Sequence, residues 1–61
     1  MKVIFWDKVR ETHKAVDKVI QIETNTIKHN GRYTNFWFVL HDDLKTESYK
    51  QKDYEIIRVE A

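Results

Sequence analysis

The 61-residue chain carries eleven Lys and Arg against ten Asp and Glu for a net charge of +1, with no cysteine, no proline and one glycine. A chain this short makes one domain, residues 1–61, and buries only about 60% of the surface that its unfolded form exposes, with no disulfide or thiolate metal site to reinforce it. The charge signs alternate instead of forming the basic block that marks a phosphate-binding surface, and three Phe, three Tyr and two Trp exclude a disordered composition.

No charged region leads into an apolar run, and nothing approaches the ~18 apolar residues of a membrane span. A soluble cytoplasmic protein is therefore expected. From the N-terminus, the apolar "VIFWD" reads as a strand. The segment that follows admits two descriptions. Trp6, Val9, His13, Val16 and Ile20 recur at three- and four-residue spacing, which suits a helix over residues 7–18. The same stretch also matches "VLHDDLKTESYKQKDYEIIRVE" further on: Asp7 with Asp42, Glu11 with Glu47, Lys14 with Lys50, Asp17 with Asp53, and "IQIE" with "IRVE". That correspondence favours two strand-turn-strand-turn-strand units, and so an all-β fold of five or six antiparallel strands curling into a small barrel. The α+β fold with one helix is the alternative.

The two units join at "TIKHNGRYTNFWFVL", residues 26–40. Asn-Gly flanked by β-formers marks a hairpin, but its loop length is open. A two-residue turn pairs His29 with Arg32 and sets Glu23 against Phe38 and Asn25 against Phe36. A three-residue loop pairs Lys28 with Arg32, so that Ile22 meets Phe38 and Ile20 meets Leu40. Since a one-residue slip sends every side chain to the other face, hydrophobic matching selects the longer loop. The expected core face is then Ile20, Ile22, Phe36, Phe38 and Leu40, with Phe5 packed on it from the first strand. After Leu40, "HDDLK" reads as a turn, "TESYK" as a strand, "QKD" as a turn and "YEIIRVE" as the closing strand.

Candidate chemistry is sparse. His41, Asp42 and Asp43 are metal-ligand types, but an aspartate turn bonded to its own backbone accounts for them. His13 and His29 read as solvated. Ser48 is the only serine, and one glycine cannot build a phosphate loop. No catalytic residue, metal ligand or cofactor is assigned, and an enzyme is not expected. The longer hairpin loop turns Trp37 outward, and a turn at Asp42, Asp43 and Leu44 sets Tyr49 across from it. Tyr33, Trp37, Val39 and Tyr49 are thus the expected partner-binding patch, built of residue types enriched at interface hot spots.

In strand pattern and composition, the segment "VLHDDLKTESYKQKDYEIIRVE" and the chain around it resemble the short orphan proteins of phages and mobile elements of AT-rich Gram-positive bacteria. The small barrel of the Src-homology type is a second likeness of pattern. The first resemblance implies a stoichiometric protein-binding protein, such as an inhibitor of a host or defence factor of the anti-CRISPR kind. A single-stranded nucleic-acid binder is the alternative, since exposed aromatics beside Lys28, Arg32, Lys45 and Lys50 can stack bases. Against it stand Glu23, Asp42, Asp43 and Glu47 in the same neighbourhood, whose charge repels phosphate. A self-associating subunit, pairing through open strand edges, is the third expectation.

Overall fold

The computed structural model describes residues 1–61 as six antiparallel strands: β1 (Lys2–Asp7), β2 (Thr12–Val16), β3 (Val19–His29), β4 (Arg32–His41), β5 (Thr46–Lys50) and β6 (Tyr54–Glu60). The expected all-β architecture is the observed one, in two layers and without a closed barrel. No helix forms over residues 7–18. The Asp7 carboxylate, almost wholly buried, accepts hydrogen bonds from the amides of Val9 at 3.0 Å and Arg10 at 3.1 Å. It thereby closes a turn that sends the chain back along β1 as β2. No helix long and apolar enough to cross a membrane is present.

One sheet runs β2-β1-β6 and the other β3-β4-β5. Each contains a local hairpin, β1-β2 or β4-β5, completed by a strand from the other half of the chain: β6 joins β1, and β3 joins β4. The halves thus exchange their third strands, a pseudo-twofold arrangement consistent with the internal match read from the sequence. Even the irregularities correspond. The β3-β4 ladder skips Ile20 and the β1-β6 ladder skips Ile57, the leading residues of "IQIE" and "IRVE". Each is an extra residue in its strand, a β-bulge, and each is at least half exposed.

The loop between β3 and β4 has two residues, not three. His29 pairs with Arg32, and Asn30 and Gly31 both take positive φ, 51° and 76°. A two-residue turn with positive φ at both positions follows the right-handed twist of the strands, which is why Asn-Gly favours it. The facings expected on β4 are therefore reversed, while Ile22 on β3 keeps the inward one. Ile22 pairs with Val39, Thr24 with Trp37, Glu23 with Phe38 and Asn25 with Phe36. Val39, Trp37 and His41 point toward the first sheet, while Phe36, Phe38 and Leu40 lie on the outer face. Of the expected core set only Ile22 packs against the core, and Ile20 is 61% exposed in its bulge.

The core consists of Val3, Phe5, Val16, Val19, Val39 and Tyr49, with Ile22, Trp37, Tyr54 and Ile56 packed around it. Phe5 is fully buried at its centre, its ring 4.8 Å from that of Tyr49 and 5.9 Å from that of Tyr54. The molecule measures 37 × 28 × 13 Å between Cα extremes, a thickness that fits two sheets about 10 Å apart. Its long dimension reflects β3 and β4. From Glu23 to Tyr33 every residue is exposed, so the far half of this hairpin extends past the core as a two-stranded arm.

Two substitutions test this account. Phe5→Ala is expected to cost about 3–5 kcal/mol, enough to abolish the cooperative urea transition of so small a domain, whereas Leu44→Ala, at a 95% exposed position, leaves the midpoint unchanged. Gly31→Ala meets no steric obstacle, since nothing lies within 4 Å of the added Cβ. Its expected cost of about 1 kcal/mol is that of the left-handed backbone alone.

Candidate functional site

The four residues of the expected patch do not form an exposed surface. Val39 is fully buried and Tyr49 is 7% exposed, both within the core cluster. Trp37 is half-buried on the inner side, its indole N–H donating to the Tyr54 carbonyl at 3.1 Å. Trp37 and Tyr49 do pair across β4 and β5, as the three-residue Asp42-Asp43-Leu44 turn requires, but the pair faces inward. Tyr33 alone is solvent-exposed, on the arm, where the Lys28 ammonium lies 5.5 Å from its ring centre. The reversal has one cause: a two-residue turn exchanges the faces of β4.

What the hairpin turns outward is an apolar stripe. Phe36, Phe38 and Leu40 alternate along the central strand of their sheet, with the two phenylalanine rings 5.9 Å apart. Cross-strand partners flank them: Asn25 and Lys50 beside Phe36, Glu23 and Ser48 beside Phe38, Gln21 and Thr46 beside Leu40. None of the three belongs to the core or packs against it. Toward the tip the stripe continues into a groove of about 320 Å³ lined by Ile27, His29, Thr34, Phe36 and Lys50. The chain has no carboxylate between Glu23 and Asp42, so the arm beyond Thr24 carries Lys28, His29 and Arg32 with no acidic residue.

Three of the four carboxylates expected to oppose an anion are placed elsewhere, Glu23 beside Phe38 being the exception. Asp42 and Asp43 occupy the loop at the opposite end of β4 from the arm tip, where Asp43 accepts from the Lys45 amide at 3.1 Å. Glu47 is on the inner face across from Val39. There it accepts the Tyr49 hydroxyl on one oxygen and lies 2.8 Å from His41 Nε2 with the other, while His41 Nδ1 is 3.0 Å from the Lys18 carbonyl. Both neighbours of the imidazole are acceptors, so both contacts are hydrogen bonds when each ring nitrogen carries a proton. His41 is thus a buried structural residue joining β3's start, β4 and β5.

Electrostatics follow from this network. The Tyr49 hydroxyl, with His41 and Lys45, holds the Glu47 carboxyl below its ordinary value of 4.5 against the opposing effect of burial. Burial first, and then the Glu47 carboxylate, push the Tyr49 phenol above its ordinary 10.0. His13 stacks edge-on against Trp6 at 4.9 Å on the outer side of the other sheet, remote from these groups.

On the inner side of the arm's root is a second, larger cleft of about 490 Å³, lined by Thr24, Asn25, Thr26, Asn35, Trp37 and Gln51. Sequence reading missed it, because its residues come from three separate segments and none is of a catalytic type. Comparison with protein-family models, curated proteins and solved structures finds no match.

The Glu47 network sets a pH dependence. Native Glu47 binds its proton more weakly than the unfolded chain does, so its stabilisation is fully present above pH 4.5 and is lost as the pH falls below it. Native Tyr49 holds its proton more tightly, so its contribution is present below pH 10 and is lost above. Urea midpoints measured against pH should decline on both sides. Glu47→Gln should lower the plateau and make both limbs shallower.

Proposed function

We propose that this protein binds single-stranded nucleic acid on the outer face of β3-β4-β5, with Phe36 and Phe38 as stacking platforms and Lys50, Arg32 and His29 around the phosphates. The observation that carries the proposal is the pair of adjacent phenylalanines on a central strand, outside the core and bordered by a lysine, next to an arm without carboxylates. Aromatic side chains on a sheet accept bases of any sequence, each stack contributing about 1–3 kcal/mol. A net charge of +1 supplies little long-range steering, so attraction rests on the local segregation of charge. Of the four carboxylates weighed against this function, only Glu23 adjoins the stripe.

A protein ligand is the second reading. Leu40 favours it, because an aliphatic side chain extending the stripe offers no ring for a base. In that case Phe36, Phe38 and Leu40 together form the hydrophobic centre of an interface, in place of the buried Val39 and Tyr49.

Fluorescence anisotropy of labelled dT12 and rU12 at low and rising salt distinguishes the two. A nucleic-acid binder should show log K falling with log salt by about 0.7 per phosphate contacted. Phe36→Ala and Phe38→Ala should each weaken binding by roughly 5- to 150-fold without altering the circular dichroism spectrum. Lys50→Ala should reduce the salt slope by about 0.7. Undetectable binding at low salt removes the proposal and leaves the protein ligand.

A further inference from the structure

We infer that the cleft at the arm's root takes one nucleobase of the bound strand, stacked on Trp37 and read by Asn35 and Gln51; the inference rests on the nucleic-acid function proposed above. The lining defines the ligand. One indole, two threonine hydroxyls and three carboxamides surround about 490 Å³, with no charged side chain and no aliphatic one. Such a lining offers no charge to a phosphate or a metal ion and no aliphatic wall to a purely apolar molecule. It suits a flat, neutral ring bearing both hydrogen-bond donors and acceptors.

Hydrogen-bond accounting sharpens the assignment. The Trp37 N–H is engaged by the Tyr54 carbonyl, which orients the indole where it lines the cleft. Thr26 Oγ1 donates to Asn35 Oδ1 at 2.6 Å, so the Asn35 amide nitrogen keeps its donors. Gln51 Nε2 donates to the Phe36 carbonyl at 3.2 Å, so the Gln51 amide oxygen keeps its acceptor capacity. The two residues are neighbours, the Gln51 amide donating to the Asn35 carbonyl at 2.9 Å. A donor and an acceptor side by side over an aromatic floor match the edge and face of a base, in the manner of the bidentate carboxamide contacts that read adenine.

The cleft is accessible from the stacking surface. Asn25 lines the cleft and is also the cross-strand partner of Phe36. It belongs to β3, an outer strand of its sheet. A nucleic-acid strand stacked on Phe36 and Phe38 therefore reaches Trp37 by passing round the edge strand β3.

The test uses the full chain with Trp6→Phe, which leaves Trp37 as the sole indole, titrated with dA12, dC12 and dT12 at low salt. Bound oligomers should quench Trp37, and one should be preferred over the weakest by about tenfold. Adding Asn35→Ala and Gln51→Ala should reduce that preference below about threefold, while the salt slope, set by phosphate contacts elsewhere, stays the same. Equal binding of all three oligomers, an unquenched Trp37, or a preference that survives both substitutions overturns the base pocket while nucleic-acid binding stands. Failure of every oligomer to bind removes the pocket together with the function beneath it.

Discussion

The two-residue turn at Asn30-Gly31 is the constraint on which the rest depends. Successive side chains of a strand point to opposite faces, so the parity of this loop decides which half of β4 makes the core. With both turn residues at positive φ, Val39 and His41 go inward, and Trp37 follows them to the boundary. Phe36, Phe38 and Leu40 go outward. The bulge at Ile20 then offsets the ladder by one residue, so that Val19 returns to the core opposite His41 while Ile22 still faces Val39. Turn and bulge act together: the first sets the facing of the hairpin, and the second restores it where β3 meets the other sheet.

Exchange of third strands between the two halves of the chain explains why so short a sequence makes a stable two-layer structure. Neither half of the chain, β1-β2-β3 or β4-β5-β6, forms a sheet by itself, because β1-β2 is completed by the distant β6 and β4-β5 by β3 across the Asn30-Gly31 turn. The core is therefore built of long-range contacts around Phe5, with backbone bonds between Met1 and Val19 tying the start of one sheet to the start of the other. Beyond this core the β3-β4 arm has only its own ladder. A two-stranded ribbon in water is marginally stable, so the arm belongs to the low-stability end of the molecule, where ligand-binding segments are generally found. Both candidate surfaces lie at its root, where the ordered core can position side chains and the arm can still adjust.

Charge is distributed by the same geometry. A net charge near zero conceals a segregation that only the fold creates: Glu47 is withdrawn into contact with His41 and Tyr49, Asp7 is buried in its own turn, and the Asp42 and Asp43 pair is carried to the far end of β4. The arm keeps its cations. Half-burying Glu47 is tolerable because both its oxygens have partners, and no buried side-chain polar atom in the protein lacks one.

Much of the fold is determined by the sequence itself. The β-rich composition, the turn signals at Asp7, at Asn30-Gly31 and at Asp42 to Leu44, and the internal match from "IQIE" to "IRVE" are properties of the chain alone, and together they point to an all-β fold of five or six strands and to the Trp37-Tyr49 pairing. Which face of β4 is buried was decided by tertiary structure. Its alternate positions are Phe36, Phe38 and Leu40 on one side and Trp37 and Val39 on the other, both apolar, and hydrophobic matching within the hairpin selected the wrong one. The choice was made by the twist preference of the Asn-Gly turn and by a second layer, Val3, Phe5, Tyr54 and Ile56, contributed by the two ends of the chain. The candidate site was hidden for the same reason: the cleft beside Trp37 exists only once separate segments have been brought together.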